Sequence, residues 1–163
     1  MSPVFRDELN RVIEKSVPNI GKTTYQYDIM IPDGSLYKTE GFIAETTEDP
    51  KQNKTTKVYD AYGRIKYVID GNFLTSTVYT TYNYDDVGRQ ESVIYSGGAK
   101  EEYNYHDDNL LSTLTNKKAD GSIIDSYSYK YDYAHNQIEK TDSKGITSYQ
   151  YDCLNRLKIV LEQ

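Results

Sequence analysis

Tyr82, Asn83 and Tyr84 alternate aromatic, polar and aromatic, and Asp85-Asp86-Val87-Gly88-Arg89 follows, so the stretch reads Y-x-Y-D-x-x-G-R. In an extended chain successive side chains point to opposite faces, which puts both rings on one face and the amide on the other. Asp85 offers acceptors to the backbone N–H groups just after it, and Gly88 takes φ > 0 without a Cβ clash. The pair predicts a type I turn finished by a left-handed residue. Strand, turn and returning strand make a β-hairpin.

The same pattern returns along the chain. Asp7-Glu8-Leu9-Asn10-Arg11 repeats it with Asn10 in the glycine slot, asparagine being the next best residue for a left-handed turn. Tyr25 and Tyr27 lead into Asp28, the expected opener of a second copy whose turn signal comes late, at Pro32-Asp33-Gly34-Ser35. Tyr59-Asp60-Ala61-Tyr62-Gly63-Arg64 is a clean third copy. In the fifth, Tyr103 and Tyr105 precede His106 in the Asp slot, with Asn109 and Leu110 in the Gly and Arg slots. The sixth carries Tyr129, Tyr131 and Asp132, and an extra residue puts Gln137 in the Arg slot; the seventh carries Tyr149, Tyr151, Asp152, Asn155 and Arg156. The Asp slots thus fall at 7, 28, 60, 85, 106, 132 and 152, a period of roughly 20–30 residues that marks a repeat array. The polar stretch 45–57, with Pro50 inside it, is expected to be a loop insertion, and both ends of the chain fall inside a repeat.

A lone hairpin is marginal in water, so consecutive hairpins must pair edge to edge. The expected fold is all-β: residues 1–163 as one strip of consecutive antiparallel hairpins in a long twisted sheet. One face carries tyrosine and aliphatic residues, and the other carries Gln26, Lys66, Asn83, Asn104, Gln150 and Lys158. Composition sharpens this picture. Apolar residues make up 37%, mean hydropathy is −0.78, and there are 18 tyrosines and no tryptophan, so the core is expected to be thin and aromatic.

Net charge is −6 with lysine and arginine scattered, which gives no footprint for a nucleic-acid backbone. Cys153 is the only cysteine, which excludes an internal disulfide framework and a thiolate metal cage. No apolar run approaches membrane-spanning length, and the first residues do not read as a signal peptide, so any export signal is expected to lie outside this sequence.

Degenerate Y-x-Y-D-x-x-G-R-L copies over roughly Phe5 to Leu161 resemble the YD repeats of the Rhs family. That family includes bacterial polymorphic toxins, C components of insecticidal toxin complexes, Gram-positive wall-associated proteins and teneurins. The resemblance implies a strip of sheet wound into a hollow shell around another polypeptide, commonly a C-terminal toxin domain, in a secreted or cell-surface protein. It implies as partners the rest of that shell and its cargo. Family members that cleave themselves do so near a D-P-x-G motif, whereas the one Asp-Pro here, Asp49-Pro50, continues into Lys51-Gln52. Autoproteolysis is therefore not carried over.

Chemistry finds few candidates. His106 and His135 occupy turn slots with no nucleophile–base arrangement beside them. Cys153 lies between Asp152 and Leu154 of a turn, and the pairs Asp85-Asp86 and Asp107-Asp108 open turns without the spacing of a calcium loop. No catalytic residue, metal site or cofactor is expected, and the chain is read as non-enzymatic. The tyrosine rows have two readings: rings packing across strands, or exposed rings stacking on glycans. The arginines of the repeat, Arg11, Arg64, Arg89 and Arg156, are expected either over a neighbouring ring or paired with a turn carboxylate. Unpaired strand edges are expected to favour self-association.

Overall fold

The computed structural model describes residues 3–31, 43–71 and 76–163. The described residues form fourteen strands: β1 (Val4–Arg6), β2 (Val12–Val17), β3 (Gly21–Met30), β4 (Ile43–Glu48), β5 (Lys54–Tyr59), β6 (Ile65–Asp70), β7 (Tyr79–Tyr84), β8 (Gln90–Tyr95), β9 (Lys100–Tyr105), β10 (Leu111–Lys117), β11 (Ile123–Tyr131), β12 (Gln137–Asp142), β13 (Gly145–Tyr151) and β14 (Leu157–Glu162). They make one open antiparallel sheet in which spatial order equals chain order. The chain divides into two compact units, Met1–Tyr82 and Asn83–Gln163.

Period-2 alternation produces the faces. In the second unit Tyr103 stands opposite Leu114 and Leu114 opposite Tyr127, while one step along the strands Glu102 stands opposite Thr115 and Thr115 opposite Ser126. Rings and Leu114 therefore share one face, and hydroxyls and carboxylates the other. Cross-strand polar pairs knit the second face: the Asn83 amide donates to Ser92 Oγ at 3.0 Å and the Asn104 amide to Thr113 Oγ1 at 2.9 Å. Val93 and Ser92 are the buried residues of this unit among those described.

The first unit has a different centre. Ile31, Ala44, Val58 and Ile69 are fully buried together, with Ile29, Tyr67 and Tyr79 packed against them. Val58 immediately precedes Tyr59, so this cluster lies on the face opposite the repeat tyrosine. Thr56 is buried beside it, and its hydroxyl lies 2.8 Å from that of Thr46.

Three expectations are corrected here. The stretch 45–57 is a hairpin: Glu45 pairs with Lys57, Thr46 with Thr56, Thr47 with Thr55 and Glu48 with Lys54. β-Branched threonines suit a half-buried strand, and Pro50 occupies the second turn position, where its fixed φ fits. Asp28 opens no turn. It lies inside β3 at φ 53°, at a register shift between Gln26 and Ile29. A turn at Asp28 would need a left-handed residue at position 31, and Ile31 is β-branched. The sixth copy has no extra residue, because His135 takes the left-handed slot and Asn136 the Arg slot. The late turn signal at Pro32-Asp33-Gly34-Ser35 lies outside the described residues.

At the far ends of the hairpins, glycines let turns approach closely. A Cβ on Gly98, at φ +84°, would stand 2.8 Å from Ala119 Cβ, and one on Gly21 would stand 2.7 Å from Pro50 Cβ.

Candidate functional site

Each clean copy builds the same turn. The Asp85 N–H donates to the Arg89 carbonyl and the Gly88 N–H to the Asp85 carbonyl, both at 2.9 Å. One Asp85 oxygen accepts from the N–H groups of Val87 (3.1 Å) and Arg89 (2.8 Å), and the other accepts from Arg89 Nε at 2.7 Å. Asp7, Asp60 and Asp152 repeat all three side-chain bonds with Arg11, Arg64 and Arg156. In Asp132 and Asp49 an amide replaces the guanidinium, from Asn136 at 2.9 Å and Asn53 at 2.8 Å. The left-handed slot holds Asn10, Gly63, Gly88, Asn109, His135 and Asn155 at φ 64°, 76°, 90°, 68°, 63° and 58°.

These bonds favour the charged carboxylate. Partial burial pushes Asp7, Asp60 and Asp85 upward, and the donors from Arg11, Arg64 and Arg89 outweigh it, so all three stay below the ordinary carboxylate range. Asp132 is lowered chiefly by the Asn136 amide, and Asp152 chiefly by the Arg156 backbone N–H.

The turn also reaches the next repeat. Arg11 Nη1 donates to Asp28 Oδ2 at 2.7 Å, its guanidinium lies 4.5 Å from the centre of the Tyr27 ring, and the Tyr27 hydroxyl donates to the Val12 carbonyl at 2.9 Å. In the fourth copy Arg89 Nη1 donates to Asn109 Oδ1 at 2.7 Å, the guanidinium lies 4.6 Å from the Tyr105 ring, and the Tyr105 hydroxyl donates to the Gln90 carbonyl at 2.8 Å. Tyr131 and Tyr151 make the same bond, to Leu111 at 3.0 Å and Gln137 at 2.8 Å. In these four copies the tyrosine immediately before the Asp slot donates to the residue just past the Arg slot of the preceding turn. We call this arrangement a latch.

The backbone explains why a latch is needed. The inter-repeat ladders run from Glu14, Ser92, Thr113 and Glu139 toward the far turns and stop short of Val12, Gln90, Leu111 and Gln137. Those carbonyls lie beyond the last paired residues, and the tyrosine hydroxyl satisfies each one. Arginine placement resolves both expected alternatives at once: Arg11 and Arg89 pair with the turn carboxylate and cover the next ring.

The degraded fifth copy substitutes parts. Leu110 cannot cap Tyr131, and His106 meets that ring edge-on at 6.1 Å with an interplanar angle of 87°. The His106 Nε2 atom lies 3.2 Å from the Tyr129 carbonyl. The remaining motif tyrosines sit mid-strand or on the same faces: Tyr25 opposite Thr47, Tyr103 opposite Leu114, Tyr129 opposite Lys140 and Tyr149 opposite Val160, with Tyr82 and Tyr84 in β7. Tyr59 donates to Glu45 Oε2 at 2.9 Å, and burial together with that carboxylate raises its phenol to about 12.

His135 is consumed by its backbone slot, and Cys153 is exposed in its turn. An open cleft is lined by His106, Asp107, Asp108, Lys130, Tyr131 and Ile138. Among the described residues no group of three or more His, Cys, Asp or Glu side chains is placed to hold a metal ion. Sequence reasoning missed Asp49 and the latch carbonyls. The first was signalled by Asn53 four residues on; the second had no signal in residue type.

No family model matches the sequence, and no curated protein is similar to it. Solved structures are similar. The TcdB2-TccC3 crystal structure aligns with TM-score 0.66 at 14% identity over 93% of this chain and 9% of that one. The same complex without its hypervariable C-terminal region aligns with TM-score 0.61 at 14% identity over 96% of this chain and 10% of that one. The Tc holotoxin pore of Photorhabdus luminescens aligns with TM-score 0.62 at 14% identity over 91% and 9%. The chain spans about a tenth of the length of each. It shares the fold of the tenth or so of the TcdB2-TccC3 structures with which it aligns, and its resemblance to the Rhs/YD-repeat family holds at the level of that fold.

Proposed function

We propose that this chain is a non-catalytic structural segment of an Rhs-type β-shell, which encloses or displays a toxin or effector domain of a larger secreted protein. The observation that carries the reading is the use made of the repeat's polar groups. The Asp85 carboxylate, the Arg89 guanidinium and the Tyr105 hydroxyl all bond within the sheet, so the motif's chemistry goes into joining hairpins. The likeness of nearly the whole chain to part of the TcdB2-TccC3 structures supports the same reading. Its partners would be the remaining shell and the enclosed domain.

The glycan reading loses support. A sugar needs open ring faces in a row, whereas the motif rings Tyr27 and Tyr105 lie under guanidinium groups and the most exposed rings among the described residues, Tyr62 and Tyr133, sit singly in turns. To test the shell reading, the natural polypeptide containing this chain is purified and treated with protease before and after mild unfolding. The account expects a C-terminal domain that survives until the strip opens. A polypeptide with no second domain, or one cut as fast before unfolding as after, contradicts it.

A further inference from the structure

In a complete latch the arginine of one turn fills the gap before the next repeat. Arg11 covers Tyr27 and pairs with Asp28, and Arg89 covers Tyr105 and donates to Asn109. Between the sixth and seventh turns an amide does part of this work, Asn136 Nδ2 donating to Asn155 Oδ1 at 3.0 Å. Between the fifth and sixth turns the Arg slot holds Leu110, whose side chain has no donor. The tyrosine of that gap, Tyr131, lines a cleft of about 540 Å³ together with His106, Asp107 and Asp108 of the fifth turn, Lys130 of β11 and Ile138 of β12. The strands around the cleft, β9 to β12, are each paired on both sides, so no sheet edge is involved.

We propose that this cleft binds the guanidinium of an arginine side chain carried by another polypeptide segment, with Tyr131 as its aromatic wall and Asp107 and Asp108 as its acceptors. The sign of the charge follows from the lining. Two carboxylates stand on the wall, and the one lysine there is already paired with Glu139 at 2.7 Å. His106 is held against β11, with Nε2 3.2 Å from the Tyr129 carbonyl. A planar, delocalised cation both stacks on an aromatic ring and forks to carboxylates, whereas an ammonium is a point charge. The chain supplies its own precedent, since two guanidinium groups lie 4.5 and 4.6 Å from the equivalent rings of Tyr27 and Tyr105. His106, Asp107 and Asp108 are exposed, so a long side chain can enter from a separate backbone. This inference stands on the cleft and is independent of what the strip encloses.

The test titrates the full chain with the end-blocked tripeptide Gly-Arg-Gly and with its lysine and citrulline counterparts, followed by NMR. Saturable binding in the millimolar range is expected, with shifts centred on Tyr131, Asp107, Asp108 and Ile138. Citrulline keeps the plane and loses the charge, so its peptide should bind about fivefold more weakly or worse, and the lysine peptide should be weaker by about threefold. Leu110→Arg should fill the gap from within and abolish binding. Asp107→Asn combined with Asp108→Asn should weaken it by about fivefold, while an amide oxygen at position 108 still accepts from the Leu110 N–H and keeps the turn. The double variant decides even where Leu110→Arg unfolds the chain. Equal affinity for the arginine and citrulline peptides overturns the proposal. So does undiminished binding to the double variant, and so does the absence of saturable shifts up to about 50 mM peptide.

Discussion

The first unit combines a small aliphatic centre with the Tyr27 latch, whereas the second has almost nothing buried and relies on bonds between repeats. Ile31, Ala44, Val58 and Ile69 are buried together in the first, on the face opposite the repeat tyrosine. The second unit buries only Val93 and Ser92 among its described residues, yet it closes three latches, through Tyr105, Tyr131 and Tyr151. The same hairpin frame thus tolerates two sources of stability. An aliphatic cluster can be buried where a strand face is apolar, and elsewhere the sheet is joined where carbonyls past the ladder ends accept from phenols.

Ile69→Ala should break the comparison most sharply. It removes a side chain with no solvent exposure and should cost about 2–5 kcal/mol, read by urea unfolding, with the loss confined to the first unit. Gly98→Ala should cost about 1–2 kcal/mol in the second, because an L residue is forced to φ +84° and its Cβ meets Ala119. Gly97→Ala, with open space around its Cβ, is the matched control and should be nearly silent. Tyr105→Phe keeps the ring under Arg89 and removes only the hydroxyl, so it should cost about 0.5–1.5 kcal/mol. A silent Y105F would mean that the Gln90 carbonyl takes water at no penalty.

Acid should act on both units, and more gently. The turn aspartates are lowered in the folded chain, so their contribution is complete above the unfolded carboxylate value of about 3.9 and fades as pH falls through the folded values. Thermal melts should therefore be flat at neutral pH and decline below about pH 4. Asp85→Asn should reduce that decline, and a melting point insensitive to acid would contradict the carboxylate's role.

Much of this was legible from residue type. Alternation fixes the strands, and an aspartate followed three residues later by Gly or Asn fixes the turns at Asp7, Asp60, Asp85 and Asp152. The 45–57 hairpin was hidden because Gln52, a residue with no special taste for the left-handed region, holds φ 68° there. Asp28 misled because its two tyrosines match the motif, although Ile31 forbids the turn. The latch was not legible at all. It depends on where inter-repeat ladders end, and no one residue type marks that point; register shifts accompany the latch turns at Asp7, His106 and Asp132.

The most direct measurement of the central claim is native-state hydrogen exchange on the triple variant Tyr105→Phe, Tyr131→Phe, Tyr151→Phe. If tyrosine hydroxyls join the repeats, amides of β8 to β14 lose protection by about tenfold or more while those of β4 to β6 keep theirs. Unchanged protection in β8 to β14 would show that backbone ladders and ring packing suffice, and the latch would be an ornament of the fold.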